Sequence, residues 1–424
     1  MIKAIQYMHA RNWIILSVLN LLIVGIYGFV MRLKFLFPLP FLDQKNLLHA
    51  HSHFAFSGWV TQAIMIFMIL MVSGIRITEP IPRKYQAILL ANLVGSIGML
   101  ITFTWTGYAF LSIAFSFCTV LVSYWFAFVL WKDLNRTNLP RAIGLLFKAA
   151  LLYSVCSSFG TYALVVLKVT HQMDPLKQLA SIYFYLHFQY NGWFLLACLG
   201  LASYWVFLKT GKIWLSERFA WTYALTVLPT YFLSVIWWKN FPEWLYGLLL
   251  AAVILQIGLW IIFLVRTVRT INGKKDIHLP HLVKVLWLCV AMAMCLKVLF
   301  QLISMHPALS QLVFGFRPFV VAYLHLVLLV IITLFLLGYG WVCDELSRNR
   351  TVRMATYGLI AGVVVNELLL GIQGLAGIGH LAIPYTHEGL AIAACSIVIS
   401  LTVILYQQRK NASKQENKPK VLTK

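Results

Sequence analysis

Apolar residues run along this chain in long, nearly unbroken stretches separated by short polar punctuation. A helix needs roughly 20 apolar residues to cross a bilayer. Twelve stretches meet that length, over about 12–31, 48–73, 86–105, 110–131, 143–167, 180–206, 219–237, 244–265, 282–304, 318–342, 354–378 and 385–406. The pattern predicts an all-α polytopic membrane protein with twelve transmembrane helices, residues 1–406 forming one membrane domain. The last stretch, "QQRKNASKQENKPKVLTK" over 407–424, is polar and charged, and reads as a disordered cytoplasmic tail. The start, "MIKAIQYMHARNW", is basic, but no small-residue cleavage site closes the first apolar run, so that run is expected to be a retained helix.

Composition agrees. The 424 residues are 61% hydrophobic and only 11% charged, with a mean hydropathy of +0.83, whereas soluble domains carry about 25% charged residues. The formal charge of +22 sorts by side. If the helices alternate, 24 Lys and Arg fall on the side of the two termini, 7 on the other side, and Lys148, Lys284 and Lys297 within helices. The positive-inside rule then places both termini in the cytoplasm, as in a bacterial-type inner membrane. The basic charge is a topology signal, and nothing calls for nucleic acid. Seven cysteines form no C-x-x-C pair and read as packing residues.

The chemistry-bearing residues are histidines. In "HAHSHFAFSGW" (49–59) His49, His51 and His53 precede an apolar run, although ionisable residues are costly in a bilayer and rarely idle there. Nine of the twelve histidines fall toward the outer side. His53, His187 and His325 lie near the outer ends of helices 2, 6 and 10, spaced by 134 and 138 residues. At 1.5 Å per residue each sits roughly 10 Å below the surface. "HFAFSGWV" (53–60) and "HFQYNGWF" (187–194) share H-F-x3-G-W, while "HLVLLVII" (325–332) keeps the histidine and the apolar setting. A period near one third of the chain predicts three pseudo-repeats of four helices.

Neutral imidazole ligates haem iron, copper and zinc. If helices 2, 6 and 10 face a common centre, two of these imidazoles can hold a haem and the third can serve a second metal. His49 and His53 share a helix face, while His51 points roughly the opposite way. His53 is the expected ligand, His49 is expected at the interface, and the role of His51 stays open.

This pattern resembles subunit I of the haem–copper oxidase and nitric oxide reductase superfamily. The resemblance implies twelve helices in three groups of four, with ligands on helices 2, 6, 7 and 10. By position it implies that His53 and His325 are the axial ligands of a low-spin haem and that His187 binds a second metal, copper or non-haem iron. "HFQYNG" is similar to the helix-6 H-x4-G segment of nitric oxide reductases, with Asn191 where those carry an acidic residue. The H-x-H followed by G-W is also similar to a pair that the family carries on helix 10, which makes His51 a second candidate on helix 2. Helix 7, "FAWTYALTVLPTYFLSVIWW", has no histidine where the family places a pair, and helix 10 has one where the family needs two. An incomplete or divergent binuclear site follows. The haem- and copper-containing NnrS family, also twelve-helical, is a second likeness.

Further residues gain meaning from this frame. Arg317 in "FGFRPF" lies eight residues before His325, where a guanidinium can pair with haem propionates. Tyr190 shares a helix face with His187 and, with Asn191, is a candidate near a reactive metal. Lys297 and Glu367 are the deepest intramembrane charges, expected as an ion pair or part of a proton route, with Asn366 beside Glu367. The expected function is a haem-binding membrane protein in electron transfer, related to oxygen or nitric oxide reduction. Its implied partners are the lipid bilayer, a cytochrome or quinol donor, and accessory membrane subunits. The competing class is a twelve-helix proton-coupled transporter or permease.

Overall fold

The computed structural model describes residues 8–172, 174–238, 241–274, 276–306, 309–310, 317–343, 349–379 and 381–416. Eleven helices in them are long and apolar enough to cross a membrane. They are α1 (Ala10–Leu33), α2 (Gln44–Ser73), α3 (Arg83–Thr106), α4 (Phe110–Leu134), α5 (Arg141–Val169), α6 (Pro175–Thr210), α8 (Glu243–Asn272), α9 (His281–Ile303), α10 (Pro318–Val342), α11 (Arg350–Ile378) and α12 (Thr386–Glu416). The twelfth element, α7 (Glu217–Thr230), is only 14 residues long and runs into a tight 3-10 turn over Tyr231–Val235. Pro229 explains the break, because it has no N–H to donate and its ring crowds the preceding turn.

Helix ends follow local chemistry. Asp43, Asp174, Ser216 and Asn349 cap α2, α6, α7 and α11 by accepting from Asn46, Leu176, Phe219 and Val352 backbone N–H groups. These caps offset the unpaired N–H groups of a first turn. They also let α2 and α6 begin earlier than the apolar runs suggest, taking in the polar Gln44–Asn46 turn and Pro175–Gln178. At the other end of the chain α12 continues past the expected boundary at 406 to Glu416, through a run rich in Gln, Lys, Arg and Ala that favours helix. The remainder of the expected tail, 417–424, lies outside the described residues.

Three helices form the centre. Within their most apolar windows 78% of α2, 78% of α6 and 56% of α10 is buried, against 17–44% in the other spans. Trp59 Nε1 on α2 donates to Thr333 Oγ1 on α10 at 2.9 Å. Phe56 of α2 meets Phe194 of α6 at 5.5 Å between ring centroids, and Tyr190 of α6 meets Tyr323 of α10 at 6.2 Å. α1 lies along α12, which joins the first and last helices of the surrounding ring.

Each central helix opens into a π-helical segment at one place: Ala55–Thr61 in α2, Phe188–Phe194 in α6 and Leu326–Thr333 in α10. These segments begin just after His53, His187 and His325, so the expected repeat of four helices recurs in backbone geometry. Such widened turns are uncommon and cluster near functional sites. The shared glycine of the repeat has a packing role in α6. A Cβ at Gly192 would meet Tyr153 Cβ at 2.5 Å, and that ring passes over Gly192 to donate its hydroxyl to Ala224 O on α7 at 2.6 Å.

Candidate functional site

Two imidazoles from different repeats converge on the side that carries the α1–α2 loop. His51 of α2 turns toward α1, where its Nδ1 lies 3.0 Å from Val24 O. A carbonyl oxygen only accepts, so Nδ1 carries the proton and Nε2 is left with its lone pair. Gly28, one turn along α1, lies against the ring.

His325 of α10 is arranged in a parallel way. Its Nδ1 stands 3.9 Å from Glu367 Oε1 on α11 and has no hydrogen-bond partner, although the atom is buried. Asn366 Nδ2 donates to the same carboxylate oxygen at 3.1 Å. A carboxylate behind Nδ1 is the usual arrangement that orients an imidazole whose Nε2 binds a metal. His325 lies within electrostatic range of both His51 and Arg32, and Glu367 lies within range of Arg32. The His325 side chain keeps 28% exposure.

His53 lies on another face of α2. Its ring stacks on Phe103 of α3 at 4.4 Å, and its Nε2 lies 3.2 Å from the Tyr108 hydroxyl. A two-residue step turns a helix by about 200°, so His51 and His53 serve different neighbours. His49 also faces Tyr108, ring to ring at 4.6 Å. Arg317 stands at the head of α10, and its side chain lies outside the described residues.

His187 is only 2% exposed, and both its nitrogens are engaged. Nε2 donates to Val227 O on α7 at 2.9 Å, and Nδ1 accepts from Asn191 Nδ2 at 3.1 Å. Lys297 of α9, also 2% exposed, lies within electrostatic range of His187 and donates to Gln301 Oε1 at 3.1 Å. Lys297 and Glu367 therefore sit in different clusters, and no ion pair joins them among the described residues. Tyr190 meets both the Tyr323 ring at 6.2 Å and the His187 ring at 6.3 Å between centroids.

These residues sort the expected cofactors by fit. Of the histidines, His51 and His325 suit a haem best: His51 has Nδ1 bound to Val24 O, Glu367 stands 3.9 Å from His325 Nδ1, and neither Nε2 is committed to a protein group. The surroundings of His187 do not suit copper or non-haem iron. Its lone pair is taken by Asn191, an ammonium stands nearby, and α7 supplies no histidine. No cluster of three or more His, Cys, Asp or Glu able to hold an ion occurs among the described residues. Sequence reasoning missed Arg32, which it counted as a loop charge; its place in the last turn of α1, beside the histidine-bearing start of α2, was the available signal.

No family model and no curated protein matches this sequence. Among solved structures the chain is similar to a heme-copper terminal oxidase dimer, with a TM-score of 0.71 and 12% identity over 97% of this chain and 85% of that chain. The all-helical membrane architecture is thus a fold shared with a chain of that oxidase.

Proposed function

We propose that this chain is a haem-binding membrane protein in electron transfer, holding one low-spin haem between His51 and His325. The observation that carries this reading is that His51 Nδ1 is committed to Val24 O at 3.0 Å, while a carboxylate, Glu367, stands 3.9 Å from His325 Nδ1. Nε2 of each ring then serves as an axial donor. The bis-imidazole reading keeps His325 from the sequence and moves the helix-2 ligand from His53 to His51. Glu367, which accepts from Asn366, is the carboxylate nearest the His325 ring. Val24 O fixes the tautomer of His51. Arg32 balances Glu367, and Arg317 is the proposed partner for the haem carboxylates.

A bound haem supplies a single reversible one-electron change between ferric and ferrous iron. Reduction of oxygen or nitric oxide needs an open coordination position, which a haem between two imidazoles lacks, and His187, with both nitrogens engaged, offers no ligand to a second metal. The charge bias puts the α1–α2 side on the outer face of a bacterial-type inner membrane, with both termini cytoplasmic. A cytochrome or quinol is the proposed donor, with accessory membrane subunits as neighbours.

Purified protein is expected to show a Soret band that shifts on reduction and one haem per chain by extraction. A colourless, folded protein that carries solute in proteoliposomes would instead support the permease reading.

A further inference from the structure

The face of α2 opposite His51 holds a second cluster of donors that the haem reading does not use. His49 and His53 are four residues apart and so lie one above the other on the helix. Two histidines at this spacing on one face are the arrangement by which helices commonly grip a zinc ion. Tyr108, in the α3–α4 turn, meets both rings: the His49 ring edge-on at 4.6 Å, and His53 with its hydroxyl 3.2 Å from Nε2. Phe103 closes the inner side by stacking on His53 at 4.4 Å, and Tyr108 is 57% exposed on the other.

The turn that presents Tyr108 is fixed in place. Gly107 has φ +60°, and a side chain there would collide with Asn46 Oδ1. Ser112 Oγ donates to Gly107 O at 2.7 Å. Asn46 lies on the same face of α2 as His49 and His53, so the turn packs closely on the histidine-bearing face. The phenol oxygen and the His53 nitrogen lie 3.2 Å apart. A tetrahedral ion with bonds of 2.0–2.1 Å sets neighbouring donors about 3.3 Å apart.

We infer that His49, His53 and Tyr108 form a binding site for a divalent first-row transition-metal ion, with two imidazoles and one phenol oxygen as donors and a fourth position open to water. Imidazole with an oxygen donor suits zinc and its neighbours rather than magnesium or calcium. The site does not depend on the haem reading, because it uses the other face of α2 and none of the residues assigned to haem.

The test is a titration of tag-free, full-length protein in nanodiscs with cobalt(II), read by its visible ligand-field bands, followed by displacement with zinc. One ion per chain with intense four-coordinate bands is expected. His49→Gln and His53→Gln should each weaken binding tenfold or more, and Tyr108→Phe should shift the bands. His171→Gln, in an exposed loop, should change nothing. Failure of the unaltered protein to bind, or equal binding by both α2 variants, overturns the site and leaves a hydrogen-bonded aromatic cluster. Should a variant not fold, pulsed electron paramagnetic resonance of the unaltered protein with copper(II) still decides. Two coordinated imidazoles support the site, and none overturns it. A colourless preparation that binds cobalt this way would remove the haem reading and leave this one standing.

Discussion

At the scale of single residues, hydrogen-bond commitment separates the histidines better than depth does. All of His51, His53, His187 and His325 lie near one side of the fold, but their nitrogens have different obligations. His187 uses both, to Val227 O and Asn191, and holds α6 to α7. Removing Asn191 leaves a buried imidazole nitrogen without a donor, which costs roughly 1–3 kcal/mol. Asn191→Ala should lower the unfolding midpoint in detergent while leaving any haem absorbance unchanged; loss of the absorbance would show that His187 takes part in the cofactor site. The sequence made His53 conspicuous because H-F-x3-G-W recurs around His187. That recurrence marks the start of the π segments and the packing of Gly192, features of helix–helix fit. His51 has no counterpart in the other repeats, and its direction toward Val24 depends on how α1 lies against α2, which no local pattern encodes.

At the scale of elements, the helices were legible and their interruptions were not. Twelve apolar stretches gave the right elements, because in lipid the backbone must satisfy itself within each helix. The break in α7 follows from Pro229 itself. Pro229 was visible in the sequence, but the 3-10 continuation over Tyr231–Val235 was not, because the apolar run passes through it unbroken. Gly192 is the sharpest element-scale test. A methyl group there must displace Tyr153, whose hydroxyl binds Ala224 O, so Gly192→Ala overpacks the α5–α6–α7 junction. A loss of roughly 1–3 kcal/mol is expected, seen as a lower melting temperature, and Tyr153→Ala should not restore it, because alanine keeps the Cβ that would lie 2.5 Å away. Unchanged stability of Gly192→Ala would show that the junction is looser than drawn.

At the scale of the whole molecule, the other nine helices of the described residues surround α2, α6 and α10, and two clusters of buried polar groups divide among them. Arg32, His51, His325 and Glu367 join α1, α2, α10 and α11. His187, Asn191, Lys297 and Gln301 join α6 and α9, with Val227 of α7. The sequence placed Lys297 and Glu367 at similar depth and invited a pairing, but which helices are neighbours is a property of the ring. Topology is open to direct measurement. Reporter fusions in the α6–α7 and α7–α8 loops should fall on opposite sides of the membrane, with the α6–α7 loop on the side of the termini. Both reporters on one side would mean that the short, proline-broken α7 does not cross.

The central claim is that His51 and His325 are axial partners and His53 is not. Low-temperature electron paramagnetic resonance of the oxidised protein, compared across His51→Ala, His53→Ala and His325→Ala, tests it most directly. The expected result is a low-spin bis-imidazole signal in the unaltered protein and in His53→Ala, lost in the other two. A signal that survives His51→Ala and disappears in His53→Ala would contradict the assignment.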